Sequence, residues 1–462
     1  MRSESEVDAA RDEASAANKP YRAVWRWHFL MGLLVAPVLL LLAITGGLYL
    51  YDSEIERLWY RDLMNVEAGT VPASAAAQEA AVRRAFPEAK FVSVLWPHDR
   101  THVSTWTVLD PSEGKLSVFV DPWTARVVGE LPQARRLMNV ISTLHGELLL
   151  GTPGDWFVEL VASCTLIMML TGLYLWWPAR WQWRSVFVPR LGARGRAFWR
   201  DLHAVPSALL AVGVIFLVLS GLPWSGFWGE QLAKWGTLSA ATMPTPNFRA
   251  PPTVAAKTDP HAAHRNPDLA ALPWTIRQAG LPTRPADAST HASHGTITLQ
   301  QVMDIATARG MTRMGPRLRV FYPENAQGVF TLSLVPARAQ DQRTVYLDPR
   351  DGTIVQDIGW KQYSPLGHAV EWGVMTHMGR QFGEPNRWLA LSICIGIVVS
   401  VIAGIVMWWR RRPRGGIGVP DARSQSLPRP LMAMMVVLGV LFPFAGAVLL
   451  LLAIGERLTA RA

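Results

Sequence analysis

The chain has 462 residues, half of them hydrophobic, with 21 Trp and a formal net charge of +10. That is enough chain for several units, and the apolar residues are too clustered for one soluble domain. The arginines stand beside the apolar runs, which fits a membrane address and argues against nucleic acid as the reason for the charge.

Five runs approach the roughly 20 residues that cross a bilayer: about 29–50, 157–177, 204–223, 388–409 and 431–453. In chain order, residues 1–27 read as an N-terminal segment, with Lys19, Arg22 and Arg26 next to the first span, 28–50. No small-residue cleavage site follows that span, so it reads as a retained anchor and not a signal peptide. Residues 51–134 read as a small α+β unit: a helix near 73–86, strands near 91–96 and 103–109, and a hairpin in which Val118-Phe119-Val120 runs into Asp121-Pro122 and out through Val127-Val128. Residues 135–177 hold a His-bearing segment and the second span. The loop 178–202 holds Arg180, Arg184, Arg190, Arg194, Arg196 and Arg200 against the single acid Asp201. The third span is 203–223. Residues 224–295 are an insertion, rich in Pro, Ala, Thr and His over 244–295 and without apolar periodicity there.

Residues 296–362 read as a second α+β unit. It has a helix near 298–310, strands near 317–322 and 328–335, and a second hairpin, Val345-Tyr346-Leu347 into Asp348-Pro349 and out through Ile354-Val355. Residues 363–409 hold another His-bearing segment and the fourth span. The loop 410–430 is again Arg-rich, with Arg410, Arg411, Arg412, Arg414, Arg423 and Arg429 against Asp421. A fifth span, 431–453, has no counterpart in the repeat, and 454–462 is the C-terminal segment. By the positive-inside rule both Arg-rich loops and the N-terminus are cytoplasmic. The two α+β units, the insertion and the C-terminal segment then lie outside. The expected architecture is an α-helical integral membrane protein: a four-helix core from a tandem repeat, a fifth peripheral span and two external α+β domains.

The repeat is sharpest around two histidines. His145 is followed by Gly151, Pro153, Trp156 and Trp176-Trp177 at +6, +8, +11, +31 and +32, and His377 by Gly383, Pro385, Trp388 and Trp408-Trp409 at the same offsets. His28 and His203 begin two other spans, with Gly46 and Gly221 both at +18. Chain direction puts His28 and His203 near the cytoplasmic edge, and His145 and His377 near the outer edge. Facing imidazoles from equivalent helices are the axial pair that a six-coordinate haem iron requires. The only cysteines, Cys164 and Cys394, lie inside apolar runs, and no CxxCH occurs. Any haem is therefore b-type, and two are expected. Gly32, Gly146 and Gly379 would let a porphyrin approach the backbone. Arg22, Arg26, Arg200 and Arg380 would pair with propionates.

His368, nine residues before His377, is the rival for a place in the outer site. His261 with His264 and His291 with His294 form spaced pairs in the insertion, and His98 and His102 flank a turn. Met375 and Met378 bracket His377, which leaves copper handling as an alternative. No Walker motif or dinucleotide fingerprint occurs, so the electron donor is expected to be membrane quinol or a cytoplasmic reductase.

The paired Asp-Pro hairpins, Leu144-His145-Gly146 and Trp176-Trp177-Pro178 together resemble the PepSY-associated transmembrane family over about residues 20–412. Within it the likeness extends to siderophore-iron reductases of the ferrioxamine type. The resemblance implies a bacterial inner-membrane protein with periplasmic PepSY domains and two haem b groups. It places the iron ligands at His28, His203, His145 and His377, and it implies one-electron reduction of a ferric siderophore. The competing expectation is a membrane-anchored PepSY module that binds or restrains proteases and holds no haem.

Overall fold

The computed structural model describes residues 4–459 except 98, 179–185, 237–271, 280–295, 313–316, 326, 336, 417 and 419–428. The paired histidines of the insertion and His98 lie outside the described residues, as does most of the insertion itself. The elements in chain order are α1 (Glu4–Tyr49), α2 (Asp52–Trp59), α3 (Ala75–Ala85), β1 (Lys90–Leu95), β2 (Ser104–Asp110), β3 (Gly114–Val120), β4 (Val127–Pro132), α4 (Leu137–Glu147), α5 (Thr152–Trp176), α6 (Arg196–Leu209), α7 (Ala211–Gly221) and α8 (Gly226–Trp235). They continue with α9 (Trp274–Ala279), α10 (Leu299–Ala308), β5 (Arg317–Phe321), β6 (Phe330–Val335), β7 (Arg343–Leu347), β8 (Ile354–Gly359), α11 (Pro365–His377), α12 (Glu384–Arg411), α13 (Arg429–Leu441) and α14 (Pro443–Thr459). Two compact units result. One comprises Met1–Gly47, Trp156–Leu219 and Ala390–Ala462, the other Leu48–Asp155 and Ser220–Leu389.

The first unit is helical. Among the described residues three helices are long and apolar enough to cross a membrane: Tyr21–Tyr49 within α1, α5 and α12. The third expected span is not straight. It is the pair α6 and α7, bent by 60° at Leu210. Pro206 inside α6 supplies the cause, because it lacks the N–H that a helix interior needs. Close packing rests on small residues. A methyl added at Gly213 would lie 2.5 Å from Ile393 Cδ1, and one at Gly396 would lie 2.2 Å from Leu210 Cδ1. The run 431–453, expected as one span, is instead α13 and α14, broken at Phe442–Pro443.

The second unit corrects the expectation of two separate α+β domains. Its eight strands form one antiparallel sheet in the order β4-β3-β2-β1-β5-β6-β7-β8. Strands β1 and β5 hold equivalent places in the two repeats and pair at the middle, with Val94 opposite Val320. Helices α3 and α10 cover one face, where the Ala75 N–H donates to Gln300 Oε1 at 2.9 Å. A single core runs beneath both, from Trp106, Val108 and Val118 to Leu332, Val345 and Leu347. The two expected hairpins are present as β3–β4 and β7–β8. Each turns on an aspartate that accepts from the backbone two residues on, Asp121 from Trp123 and Asp348 from Arg350, both at 2.9 Å.

Candidate functional site

His28 on α1 and His203 on α6 come together in the helical unit, with ring centres 6.2 Å apart and planes at 74°. Each ring is held by its Nδ1. His28 Nδ1 lies 3.0 Å from Thr171 Oγ1. That hydroxyl already donates to the Ile167 carbonyl at 2.9 Å, so it accepts from the ring. His203 Nδ1 donates to the Ser400 carbonyl at 2.9 Å, and Ser400 Oγ donates back to the His203 carbonyl at 2.9 Å. A carbonyl only accepts, so Nδ1 carries the proton and Nε2 keeps its lone pair for a metal. His145 and His377 are 232 residues apart.

Glycine at the next turn of each helix makes room. A methyl on Gly172 would lie 3.1 Å from His28 Cε1, and one on Gly404 would lie 3.3 Å from His203 Nδ1. These two glycines are again 232 apart. Both rings open onto a cavity of about 1280 Å³ whose lining includes Gly32, Trp25, Trp199 and Trp408. Arg190, Arg196, Arg200, Arg410 and Arg411 line it as well. Arg190 and Arg200 both bond Asp201, at 2.7 and 3.1 Å. Arg411 lies over the Trp25 ring at 4.2 Å and Arg410 over Trp199 at 5.7 Å. Arg26 is not in the lining.

His377 closes α11 in the other unit, and its Nδ1 lies 3.0 Å from Ser220 Oγ. Its ring meets Trp224 edge-on at 5.8 Å, and a methyl on Gly221 would lie 3.4 Å from its Cε1. Thus the same device recurs: an oxygen on Nδ1 and a glycine beneath the ring. The insertion contributes here, which its composition did not signal. Trp274 on α9 donates to the Pro223 carbonyl at 2.6 Å and packs with Val370, Val374 and Trp224. Buried Glu371 on α11 accepts from the Thr275 N–H at 2.7 Å and from Gln342 at 2.9 Å.

His145 sits on α4, a short helix like α11 that stops just before a long one. Gly151 and Gly383, six residues after the two histidines, share a left-handed backbone with φ of +66 and +67°. His368 belongs elsewhere. It begins α11 roughly 13 Å along the axis from His377, with Nε2 on the Trp360 carbonyl at 2.8 Å and its ring 4.2 Å from that of Trp360. Arg380 is paired with Asp52 at 3.2 Å. Among the described residues no group of three His, Cys, Asp or Glu side chains is placed to hold a metal ion.

The model of the PepSY-associated TM region matches residues 25–411. The chain belongs to this PepSY-associated family. No curated protein matches it. The matched stretch takes in all four histidines and the glycine and oxygen partners of His28, His203 and His377, and it ends where α12 ends. Helices α13 and α14 lie beyond it. Sequence reasoning missed Thr171, Ser400, Ser220, Gly172 and Gly404. The separation of 232 that relates His145 and His377 finds Gly404 from Gly172 by addition alone.

Proposed function

We propose that this family member is a bacterial inner-membrane electron carrier with two haem b groups, one held by His28 and His203 and the other by His145 and His377, and that it reduces ferric siderophore iron on the periplasmic side. The observation that carries the reading is the His28–His203 pair. A metal ion held by both imidazoles, with metal–nitrogen bonds of about 2.0 Å, would fit between rings whose centres are roughly 6 Å apart. The two rings are 6.2 Å apart with both Nδ1 atoms occupied. The cavity exceeds the roughly 300–1,000 Å³ usual for small ligands, as a macrocycle needs. Its arginines suit carboxylates and its tryptophans suit an apolar ring face.

When bound, haem held by two imidazoles supplies a one-electron couple with no open position for oxygen. The protein's part is to fix the rings. Thr171 and the Ser400 carbonyl set the tautomers of His28 and His203, and Ser220 orients the ring of His377. Hard oxygen donors of a siderophore favour Fe(III), so a single electron delivered there weakens the chelate. The electron enters from membrane quinol or a cytoplasmic reductase at the inner pair. The positive-inside rule supports the orientation, with Arg190, Arg200, Arg410 and Arg411 on the cytoplasmic side.

The test is a reduced-minus-oxidised spectrum and a haem-to-protein ratio on the purified full chain. Two b-type haems are expected. His28→Ala or His203→Ala should remove one of them, and His145→Ala or His377→Ala the other. A colourless wild type after haem-replete expression overturns the reading. With both haems present, failure of the reduced protein to convert a ferric siderophore to Fe(II) overturns the substrate assignment alone.

A further inference from the structure

We propose that α13 and α14 form a hairpin that dips into the cytoplasmic leaflet and returns the chain to the side it came from. The described residues then cross the membrane four times, and the end of α14 lies on the cytoplasmic side. The occupant of the hairpin's outer surface is the acyl layer of that leaflet.

The reversal is visible in two glycines. In one continuous helix, residues seven apart stand roughly 10 Å apart along the axis. Here a methyl built on Gly439 would lie 3.1 Å from the Gly446 Cα, and one on Gly446 would lie 2.2 Å from the Gly439 carbonyl oxygen. The two backbones touch, so the chain folds back between them. The break has a chemical cause. Pro443 has no N–H to continue α13, and its fixed φ suits the first position of a new helix. Only glycine on both sides permits the contact that follows.

Length and surface then assign the surroundings. Helix α13 has 13 residues and α14 has 17. At 1.5 Å per residue these are about 19 and 25 Å, short of the roughly 30 Å hydrocarbon core. One side of the hairpin packs inward through Met435, Phe442 and Ala445, which are buried. The other side is apolar and open: Val436 is 60% exposed, Val440 75%, Leu450 63% and Leu451 68%. Water does not favour so continuous an apolar surface, and a lipid layer does.

Charge gives the side. Arg429 stands at the first end of the hairpin, and Arg457 and Arg461 stand in the sequence at the other end. A single span would carry those last two arginines to the periplasm, against the positive-inside rule, whereas a hairpin keeps all three inside. None of this depends on haem.

The experiment fuses either alkaline phosphatase or green fluorescent protein after Ala462 of the full chain. The phosphatase is active only outside and the fluorescent protein folds only inside, so the two readouts are reciprocal. Wild type should be fluorescent and lack phosphatase activity. The triple change Gly439→Leu, Pro443→Ala and Gly446→Leu should join the helices into one span and reverse both signals. An active phosphatase on wild type overturns the hairpin. The occupant is tested with Val440→Cys, the native Cys164 and Cys394 being buried. Protection from a water-soluble maleimide in open membranes, with no cross-link between chains, is expected. Rapid labelling shows a water-exposed hairpin, and a disulfide-linked dimer shows a contact between two copies. Either result overturns the lipid assignment.

Discussion

Ser220 Oγ and His377 Nδ1 are 3.0 Å apart, and their hydrogen bond fixes the orientation of the ring. At the inner site a backbone carbonyl performs this task for His203. A carbonyl cannot be removed by substitution, but a serine hydroxyl can. Loss of such an orienting partner typically costs roughly 10–100-fold in metal affinity. If His377 holds a haem as proposed, Ser220→Ala should weaken retention of that haem by about that factor and shift its midpoint potential. Ser220→Thr should restore both. Haem transfer to apomyoglobin and a redox titration measure the two effects. Unchanged values for Ser220→Ala would leave Ser220 without a positioning role.

The glycines beneath the inner rings make a sterically sharper case. A methyl at Gly172 meets His28 at 3.1 Å, tighter than an ordinary contact, and the ring is already fixed by Thr171 on the same helix. Overpacking of this kind costs about 1–3 kcal/mol. If the protein holds two haems as proposed, Gly172→Val and Gly404→Val should each displace one imidazole and remove one of them, with the other retained. The haem-to-protein ratio reads the outcome. A ratio that stays at two, with an unaltered spectrum, would show that the rings do not need this clearance.

Much of this arrangement was legible in the sequence because it is periodic. The strands, the Asp-Pro hairpins and the meeting of His28 with His203 all follow from local patterns or from matched offsets. The pairing of β1 with β5 does not, because Val94 and Val320 are more than two hundred residues apart and no local signal links strand edges. The Ser400 carbonyl carries no side-chain signature at all. The reversal at Phe442–Pro443 is hidden by hydropathy, since the apolar run continues across it. The α9 helix was obscured by the Pro-rich composition on either side of Trp274.

Glu371 gives a pH signature outside the spans. Burial pushes its carboxyl above the usual range, while the Thr275 N–H, the Gln342 amide and Arg277 pull the other way. A carboxyl raised on folding binds more protons in the native state than in the unfolded one. Its contribution to stability is therefore greatest at low pH and declines as pH rises from the ordinary carboxyl range through the raised value. Thermal unfolding of the sheet-containing unit should show this fall in wild type, and Glu371→Gln should flatten it. Glu371→Ala leaves the Thr275 N–H without an acceptor and should cost about 1–3 kcal/mol at any pH. Identical pH slopes in wild type and Glu371→Gln would sink the assignment.

A last prediction tests whether the two α+β repeats fold as one body. Trp106 is fully buried in the first repeat, and its core continues without a gap into Leu332 and Val345 of the second. If the repeats were separate domains, Trp106→Ala would loosen only β1–β4. In a shared core the removal of an indole costs about 3–5 kcal/mol, and the central β1–β5 pairing transmits that loss to the whole sheet. Hydrogen exchange on the variant should therefore show reduced protection in β5–β8 as well as in β1–β4. The seam offers the reciprocal check: Val320→Asp, placed opposite Val94, should abolish protection in both halves together, because an unpaired carboxylate there has no polar partner across the register. Protection lost in one half and kept in the other, for either variant, would show that the repeats unfold independently despite sharing their strands.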